Sequence, residues 1–353
     1  MADDQNPLKE FLNEKGVLLA DGATGSNLFE VGLQTGDSPE IWNDIHPDRI
    51  ANQYQSFIDA GSDIILTNSF GGTRYRLKLH DADDRVEELN MKAAKIARQQ
   101  VDSANRTILI GGSIGPTGEI LEPLGALTQE QAAAAFEEQA MALAAGGVDI
   151  CWIETMSSKE EVAAAVTGAS RVGLPIAATF SVDTNGRTMM GLAPTDIVKL
   201  THELEPIPYA IGANCGVGAS ESIAAVVNMK RACAQQGVDP VIIVKANCGV
   251  PEYIDGKIVY SGTEEIMAEY VKLAVDAGAS IIGGCCGTTS RHVTAMRKSL
   301  DEHHKGKEPD LERIVSKLGE VSTGSRAQLR GEMSIAAGAL SDRGERPRRR
   351  RRA

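Results

Sequence analysis

Three cysteines have the residue type and placement of metal ligands. Cys215 lies in the run GANCGVGAS, and the adjacent pair Cys285-Cys286 lies in the run IIGGCCGTTS. Zinc binds thiolate sulfur at about 2.3 Å in tetrahedral geometry, and a catalytic zinc site has three protein ligands and an open fourth position. Three cysteines satisfy that count. The sequence therefore predicts a Zn²⁺ site in an enzyme that acts on thiols.

The adjacent pair restricts where this site can lie. Neighbouring side chains in a strand point to opposite faces of the sheet, so both can reach one ion only where the strand ends and the backbone turns. Gly283, Gly284 and Gly287 flank the pair and allow such a turn. Taken alone, the pair could also be two small buried side chains.

Length and cysteine content limit the possible size of the fold and the cellular compartment of the protein. The chain has 353 residues, enough for one large barrel, a fold that routinely exceeds about 200 residues. The first residues contain no apolar secretory segment, and no run approaches the roughly 20 apolar residues of a membrane span. Six cysteines without a signal peptide indicate a reducing compartment. We predict a cytoplasmic protein that does not bind a membrane.

Charge is distributed unevenly along the chain. The net charge is −12, but residues 341–353 carry seven arginines against Asp342 and Glu345, a local +5 that leaves −17 for residues 1–340. Phosphate contacts need clustered Lys and Arg, so the acidic body argues against nucleic acid as a partner of the barrel. The Arg-rich tail at 341–353 has almost no apolar content and is predicted to be disordered.

Short apolar segments alternate eight times with longer helical segments. The apolar segments lack polar alternation, which is typical of parallel strands covered on both faces. Many helical segments begin at Thr, Ser or Asp caps and end at glycine. Eight such units predict an α/β fold, the (β/α)8 TIM barrel. The predicted strands are 17–20, 63–67, 107–112, 148–154, 175–180, 209–214, 240–245 and 279–283, and the predicted helices include 83–103, 128–145, 159–171, 220–235 and 263–277.

Barrel enzymes carry their chemistry at the C-terminal ends of the strands. The first predicted strand ends in DGATGS, the second in TNSFGGT, the third in GSIGP and the fourth in Glu154-Thr155. Both cysteine motifs also follow strands, the sixth and the eighth. Acids, glycine turns and cysteines therefore converge on one face, which strengthens the prediction of a metal site.

Together these motifs resemble the homocysteine S-methyltransferase family. DGATGS, TNSFGG, GSIGPTG, the Glu-Thr pair, GANCG and GGCCGTT occur in that order over about residues 17–300. The family groups betaine–homocysteine methyltransferases, S-methylmethionine-dependent enzymes and the homocysteine module of cobalamin-dependent methionine synthase. Each motif alone is weak evidence, whereas the ordered set with both cysteine motifs is highly specific.

The resemblance implies the chemistry of the cysteines. It assigns Cys215, Cys285 and Cys286 as zinc ligands and the sulfur of homocysteine as the fourth ligand. A free alkyl thiol has a pKa of about 8.5 and is mostly protonated at neutral pH, whereas zinc holds it as thiolate. The implied reaction is methyl transfer to that sulfur, giving methionine without a covalent enzyme intermediate.

The amino-acid end of homocysteine needs partners of its own. The resemblance assigns the ammonium to Glu154, with Asp21 close by. The carboxylate is expected to meet backbone N–H groups in the glycine turns after the first and third strands, although those glycines could equally serve only to make tight connections. The predicted homocysteine-binding residues are Asp21, Gly22, Thr24, Gly25, Ser113 and Glu154.

The methyl donor is less constrained by the sequence. An onium donor favours aromatic side chains, and the candidates are Trp42, Phe70, Tyr75 and Tyr253, of which Trp42 and Phe70 are assigned to the site. Trp42 could also be a buried core residue. Thr155 stands where animal betaine enzymes have tyrosine, which is more similar to methionine synthase. Arg187 could meet a donor carboxylate or form a structural ion pair. We favour betaine or a related small onium compound as the donor.

Two alternatives stay open. The chain could be the homocysteine-activating subunit of a split cobalamin- and methylfolate-dependent methionine synthase, since it is too short to hold the cobalamin and folate domains; a partner protein would then carry cobalamin. It could also be a non-catalytic zinc or thiol redox protein, which would leave the acids and glycine turns unexplained.

We divide the chain into four segments. Residues 1–15 form a lead-in, 16–305 the homocysteine-binding barrel, 306–340 a C-terminal extension and 341–353 the basic tail. The extension could form an arm against a second subunit, so a homo-oligomer is left open.

Overall fold

The computed structural model describes residues 6–182, 185–254 and 257–332. Eight parallel strands form one sheet that curves into a barrel, with a short antiparallel hairpin, β8 and β9, beside it. The strands are β1 (Leu18–Leu19), β2 (Ile64–Leu66), β3 (Leu109–Ile114), β4 (Ile150–Met156), β5 (Ile176–Phe180), β6 (Ala210–Cys215), β7 (Val241–Ala246), β8 (Pro251–Ile254), β9 (Lys257–Tyr260) and β10 (Ile281–Gly284). The order in the sheet is β1-β10-β7-β6-β5-β4-β3-β2, and an isolated bridge between Ala20 and Ile64 joins its two edges.

The predicted (β/α)8 TIM barrel is confirmed. Every predicted strand is present, and each boundary lies within two residues of the prediction. Sequence analysis missed the hairpin, which pairs Pro251 with Tyr260 and extends the connection after β7. An Asp-Gly pair, common in two-residue hairpin turns, separates these two strands in the sequence and could have indicated them.

Helices surround the barrel, and local sequence explains where several begin and end. Thr128 and Gln131 form a reciprocal cap at the start of α7, and Gly237 ends α10 in the left-handed conformation at φ 69°. None of the described helices is both long and apolar enough to span a membrane. The helices are α1 (Pro7–Lys15), α2 (Gly25–Glu30), α3 (Trp42–Ile45), α4 (Pro47–Asp59), α5 (Arg74–Leu77), α6 (Val86–Asp102), α7 (Gln129–Ala145), α8 (Lys159–Ala169), α9 (Pro194–His202), α10 (Ala219–Gln236), α11 (Glu264–Ala277), α12 (Ser290–Glu302), α13 (Leu311–Leu318) and α14 (Thr323–Leu329).

The first helix closes the N-terminal end of the barrel. Leu8 and Phe11 on α1 are buried and belong to one apolar cluster with inward-facing strand residues such as Leu18, Ile64 and Trp152. Burial of these side chains favours closure of this end by the hydrophobic effect. A cavity for a ligand is therefore expected at the opposite, C-terminal end of the barrel.

Two buried carboxylates anchor the C-terminal extension to the outside of the barrel. Asp276 on α11 accepts hydrogen bonds from His303 Nε2 at 2.8 Å and Arg313 at 2.6 Å. Burial would raise the pKa of Asp276, but these donors and the Gly306 N–H outweigh it and lower the pKa. Glu221 on α10 accepts hydrogen bonds from the segment that begins α14. The extension therefore packs on its own barrel as far as Leu329, and the predicted disordered tail lies outside the described residues.

The seam between β1 and β2 is the most sparsely bonded part of the sheet, and Asp63 closes its lower end. The Asp63 N–H donates to the carbonyl of Leu19 at 2.6 Å, and its carboxylate accepts from the Leu19 N–H at 2.9 Å. Lys15 Nζ lies 2.5 Å and Arg297 3.1 Å from the same carboxylate. One buried acid thus joins β1, β2, α1 and α12.

Asp63→Asn tests this role. We expect the free energy of unfolding to fall by about 1–3 kcal/mol, since a buried charge-assisted network is lost while its cations stay partly hydrated. Urea denaturation followed by tryptophan fluorescence measures the change. Asp84→Asn, at an exposed acid, is the control and should cost less than about 0.5 kcal/mol. Equal effects of the two substitutions would contradict the assignment.

Candidate active site

The C-terminal ends of the strands surround a cavity of about 450 Å³. This volume lies within the range of about 300–1,000 Å³ that is usual for small-molecule sites. Seven of the eight barrel strands contribute to its wall, either through residues at the end of the strand or through the connection that follows it. Of the residues predicted from the sequence, the cavity is lined by Gly22, Thr24, Gly25, Phe70, Ser113, Glu154, Cys215, Cys285 and Cys286.

The three cysteines form a cluster on the cavity wall. Cys215 ends β6, and Cys285 and Cys286 follow directly after β10. Their sulfur atoms all lie within 4.8 Å of one another. Three sulfurs around a tetrahedral zinc ion would be about 3.8 Å apart, from a Zn–S distance of about 2.3 Å. The donor set and spacing therefore fit one zinc ion after a small adjustment.

The turns that carry the cysteines are held in shape by Asn247. Its side-chain oxygen accepts a hydrogen bond from the Cys286 N–H at 3.0 Å, and its amide donates to the Gly216 carbonyl at 2.5 Å. Cys215 has φ 62°, in the left-handed region that costs a non-glycine residue about 1–2 kcal/mol. The surrounding bonds must therefore maintain a backbone conformation that an isolated chain would avoid.

A second asparagine connects the cysteine turn to the fourth and fifth strands. The side-chain oxygen of Asn214 accepts from the Thr155 N–H at 2.8 Å and from the Thr179 hydroxyl at 2.7 Å. Thr155, which follows Glu154, is itself at φ 64°. The positions of the acid and of the cysteine cluster are therefore coupled through one buried amide.

Hydrogen bonds among the three sulfurs shift the pKa values of the three thiols in different directions. Cys285 and Cys286 donate toward Cys215 and lower its pKa to about 3. Through the same contacts the pKa of Cys285 rises well above its ordinary value and that of Cys286 rises to about 11. These contacts favour the thiolate form of Cys215, and a thiolate attracts a cation.

A buried lysine in the cavity wall interacts with two acids. Lys245 on β7 is 1% exposed, and its Nζ lies 2.5 Å from Asp21 Oδ1. The other oxygen of Asp21 accepts from the Leu66 N–H at 2.7 Å, so this acid also closes the upper end of the β1–β2 seam. Asp21 does not line the cavity. Its carboxylate is committed to the scaffold.

Glu154 is the acid that faces the cavity. It is 8% exposed, and the Ser113 hydroxyl donates to its Oε1 at 2.5 Å. Burial raises the pKa of Glu154 and of Asp21, and the positive charge of Lys245 opposes the rise in both. Burial also disfavours the charged form of Lys245, but attraction to the two acids outweighs it and its pKa is raised. Lys245 therefore favours the charged form of each acid, whereas the negative charge of Asp21 opposes ionisation of Glu154 and raises its pKa.

Lys245 and the two asparagines were missed by sequence analysis. Lys245 interrupts the apolar run VIIVKA, and a lysine within a buried strand is a signal for a buried charge pair. The sequence Ala-Asn-Cys-Gly-Val occurs at both 213–217 and 246–250, and it places Asn214 as the penultimate residue of β6 and Asn247 directly after β7. This repetition could have indicated their shared role.

The two aromatic candidates lie in different environments. Phe70 lines the cavity and is 39% exposed. Trp42 is 4% exposed and packs in the core, with its ring 4.7 Å from the ring of His46 and 4.9 Å from the guanidinium of Arg49. It does not line the cavity. The position of Trp42 gives no support to a donor cage that includes it.

Three basic side chains near this face differ in whether they line the cavity. Arg187 donates to the Gly191 carbonyl at 2.9 Å, lies 3.8 Å from Asp196 and does not line the cavity, which favours the structural interpretation. Arg76 and His80, which sequence analysis did not assign to the site, do line it.

Among sequence relatives, two methionine synthases match most of the chain. The enzyme of Mycobacterium tuberculosis is 29% identical over 301 residues, which covers 80% of this chain and 24% of that protein. The enzyme of Mycobacterium leprae is 28% identical over 324 residues, covering 87% of this chain and 26% of that protein. The chain spans about a quarter of the length of these relatives.

Solved structures share the fold. The oxidized form of the homocysteine methyltransferase MmuM from Escherichia coli superposes with a TM-score of 0.68 at 24% identity, covering 83% of this chain and 99% of that chain. Its metallated form gives a TM-score of 0.65 at 23% identity with the same coverage.

The match to a family model covers the whole barrel. The model described as homocysteine S-methyltransferase aligns with residues 18–300, from β1 to the end of α12. This span includes the three cysteines, Glu154 and Lys245. The chain therefore belongs to the homocysteine S-methyltransferase family of enzymes.

Proposed function

We propose that this protein is a zinc-dependent homocysteine S-methyltransferase that forms methionine from homocysteine and a small onium donor such as betaine. One observation carries the proposal: the three-cysteine cluster and the Glu154 carboxylate line the same cavity. A small amino acid with a thiol side chain needs a partner for its sulfur and another for its ammonium. The cavity offers both.

Cys215, Cys285 and Cys286 are the residues that would hold the zinc ion. Three thiolate donors with an open fourth position are the ligand set expected of a catalytic zinc site. When bound, zinc supplies a Lewis acid that lowers the pKa of a coordinated thiol into the range where it is a nucleophile at neutral pH. A reducing compartment, which we take to be the cytoplasm, would keep the three cysteines available.

The remaining residues bind and orient the amino-acid end. Glu154 accepts the substrate ammonium, and Ser113 fixes the carboxylate of Glu154 by donating to one of its oxygens. The substrate carboxylate meets backbone N–H groups of the turn that begins at Gly22. A Cβ at Gly22 would lie 2.5 Å from the carbonyl oxygen of Thr288, so only glycine permits this close approach.

A small onium donor suits the wall formed by Phe70, because a positively charged methyl group is attracted to an aromatic face. Similarity to methionine synthases supports a second candidate, in which this chain is the homocysteine-activating part of a cobalamin-dependent synthase and a partner protein carries the methyl group. A zinc or thiol redox protein would have no use for Glu154 beside the cysteines.

Cys285→Ala tests the metal site. The purified variant should retain less than about a tenth of the zinc of the unchanged protein, since two thiolates alone bind zinc weakly. Elemental analysis after dialysis against a weak chelator measures this. Cys233→Ala, at a buried cysteine outside the cluster, is the matched control and should keep its zinc. Zinc retention by both variants would contradict the ligand assignment.

Glu154→Gln tests the ammonium site while preserving size and the bond from Ser113. We expect zinc to be retained and the KM for homocysteine to rise about 10- to 100-fold, because the substrate loses the binding free energy of one charge-assisted hydrogen bond. The matched acceptor 4-mercaptobutyrate lacks the ammonium and should react equally with both proteins. A similar loss with both acceptors would show that Glu154 only supports the fold.

A donor panel tests the reaction as a whole. Zinc-loaded protein is incubated with homocysteine and, separately, betaine, dimethylsulfoniopropionate, S-methylmethionine or methylcobalamin, and methionine is quantified. We expect methionine from one or more of the onium donors. Turnover only with methylcobalamin would favour the synthase alternative, and no turnover with any donor would contradict homocysteine methylation.

A further inference from the structure

An arginine side chain in the cavity wall has no protein partner. Arg76 on α5 is half-buried and lines the cavity. Among the residues that the structure describes, no hydrogen bond or ion pair engages its guanidinium. A guanidinium presents five donors in a planar fork that matches a carboxylate, and removing it from water without an anion is unfavourable. The position of Arg76 therefore indicates an anionic ligand.

Neighbouring arginines are bound differently. Arg74, two residues earlier on the same helix, forms two hydrogen bonds to Glu138, at 2.8 Å and 2.7 Å, and does not line the cavity. Arg187 bonds to the carbonyl of Gly191 in its own loop. Arg76 is thus distinguished from them by facing the cavity without such a partner.

The loop after β3 leaves room for the Arg76 side chain. A Cβ at Gly118 would lie 3.2 Å from both Cδ and one terminal nitrogen of Arg76, closer than most such contacts. Gly118 has φ 83°, a conformation that favours glycine. The arm of Arg76 is therefore packed against the loop rather than extended into solvent.

Arg76 shares the cavity with groups of complementary chemistry. Phe70 offers an aromatic face to an onium group, and His80 adds a second basic side chain. Asp37 also lines the cavity, with one carboxylate oxygen accepting the Gln34 N–H at 3.0 Å. An aromatic face and an unpaired guanidinium together suit a ligand that carries a positive onium group and a carboxylate.

We propose that Arg76 binds the carboxylate of the methyl donor and so selects onium donors that carry an acid group. This inference rests on the proposed function and concerns its donor side alone. Glu154 and the backbone turns recognise homocysteine, whereas Arg76 recognises the second substrate. Onium compounds in which the acid is replaced by a neutral group are poor donors for the unchanged protein.

The test combines a variant with a matched pair of donors. Dimethylsulfoniopropionate and its neutral amide differ only at the acid group. Arg76→Gln should lower kcat/KM for the acid about 10- to 100-fold, change it less than about twofold for the amide and leave the KM for homocysteine unaltered. Arg74→Gln removes the same charge from the same helix and should retain the preference for the acid.

Arg76→Lys keeps the charge and most of the arm, and should recover part of the preference if Arg76→Gln proves unstable. Equal losses on the acid and the amide, or an increased KM for homocysteine, would overturn the inference while homocysteine methylation stands. Methyl transfer from methylcobalamin alone would overturn it together with the onium donor. A preference for the acid that survives in Arg76→Gln would also overturn it.

Discussion

The buried ammonium of Lys245 is the interaction on which the mouth of this barrel depends. It bonds to Asp21, which in turn accepts a hydrogen bond from β2, so one contact joins β7, β1 and β2 near the weakest seam of the sheet. Its charge also stabilises the ionised form of Glu154 on β4. Removing any one partner of such a buried set leaves an uncompensated charge, which is strongly unfavourable. Closure of the barrel is therefore linked to the charge state of Glu154, the proposed partner of the substrate ammonium.

The cysteine cluster also depends on a few buried side chains, in this case two asparagines. Asn247 ties the turn after β10 to the turn after β6, and Asn214 ties that second turn to Thr155. Cys215 and Thr155 both have left-handed backbone conformations, so strained residues at the ends of β6 and β4, held by buried amides, position the cysteine cluster and the acid beside it. In the proposed reaction, one hydrogen-bonded network would therefore position both the partner of the substrate sulfur and the partner of the substrate ammonium.

Features that depend on local sequence could be predicted, whereas contacts between distant residues could not. The apolar strands and the placement of both cysteine motifs at strand ends are local properties, which explains why the barrel and the residues of the cluster could be predicted. Asp21 and Lys245 are 224 residues apart, and nothing local to either shows that they pair. Trp42 was a candidate for either the donor side or the core, and only its contacts with His46 and Arg49 and its burial show that it packs in the core.

In the proposed reaction the cysteine cluster binds zinc and leaves a position for the sulfur of homocysteine. X-ray absorption at the zinc edge counts the sulfur atoms around the metal directly. We expect three sulfurs in the purified protein, four after addition of homocysteine, and three after addition of homoserine, which has oxygen in place of sulfur. A count that stays at three with saturating homocysteine would contradict it.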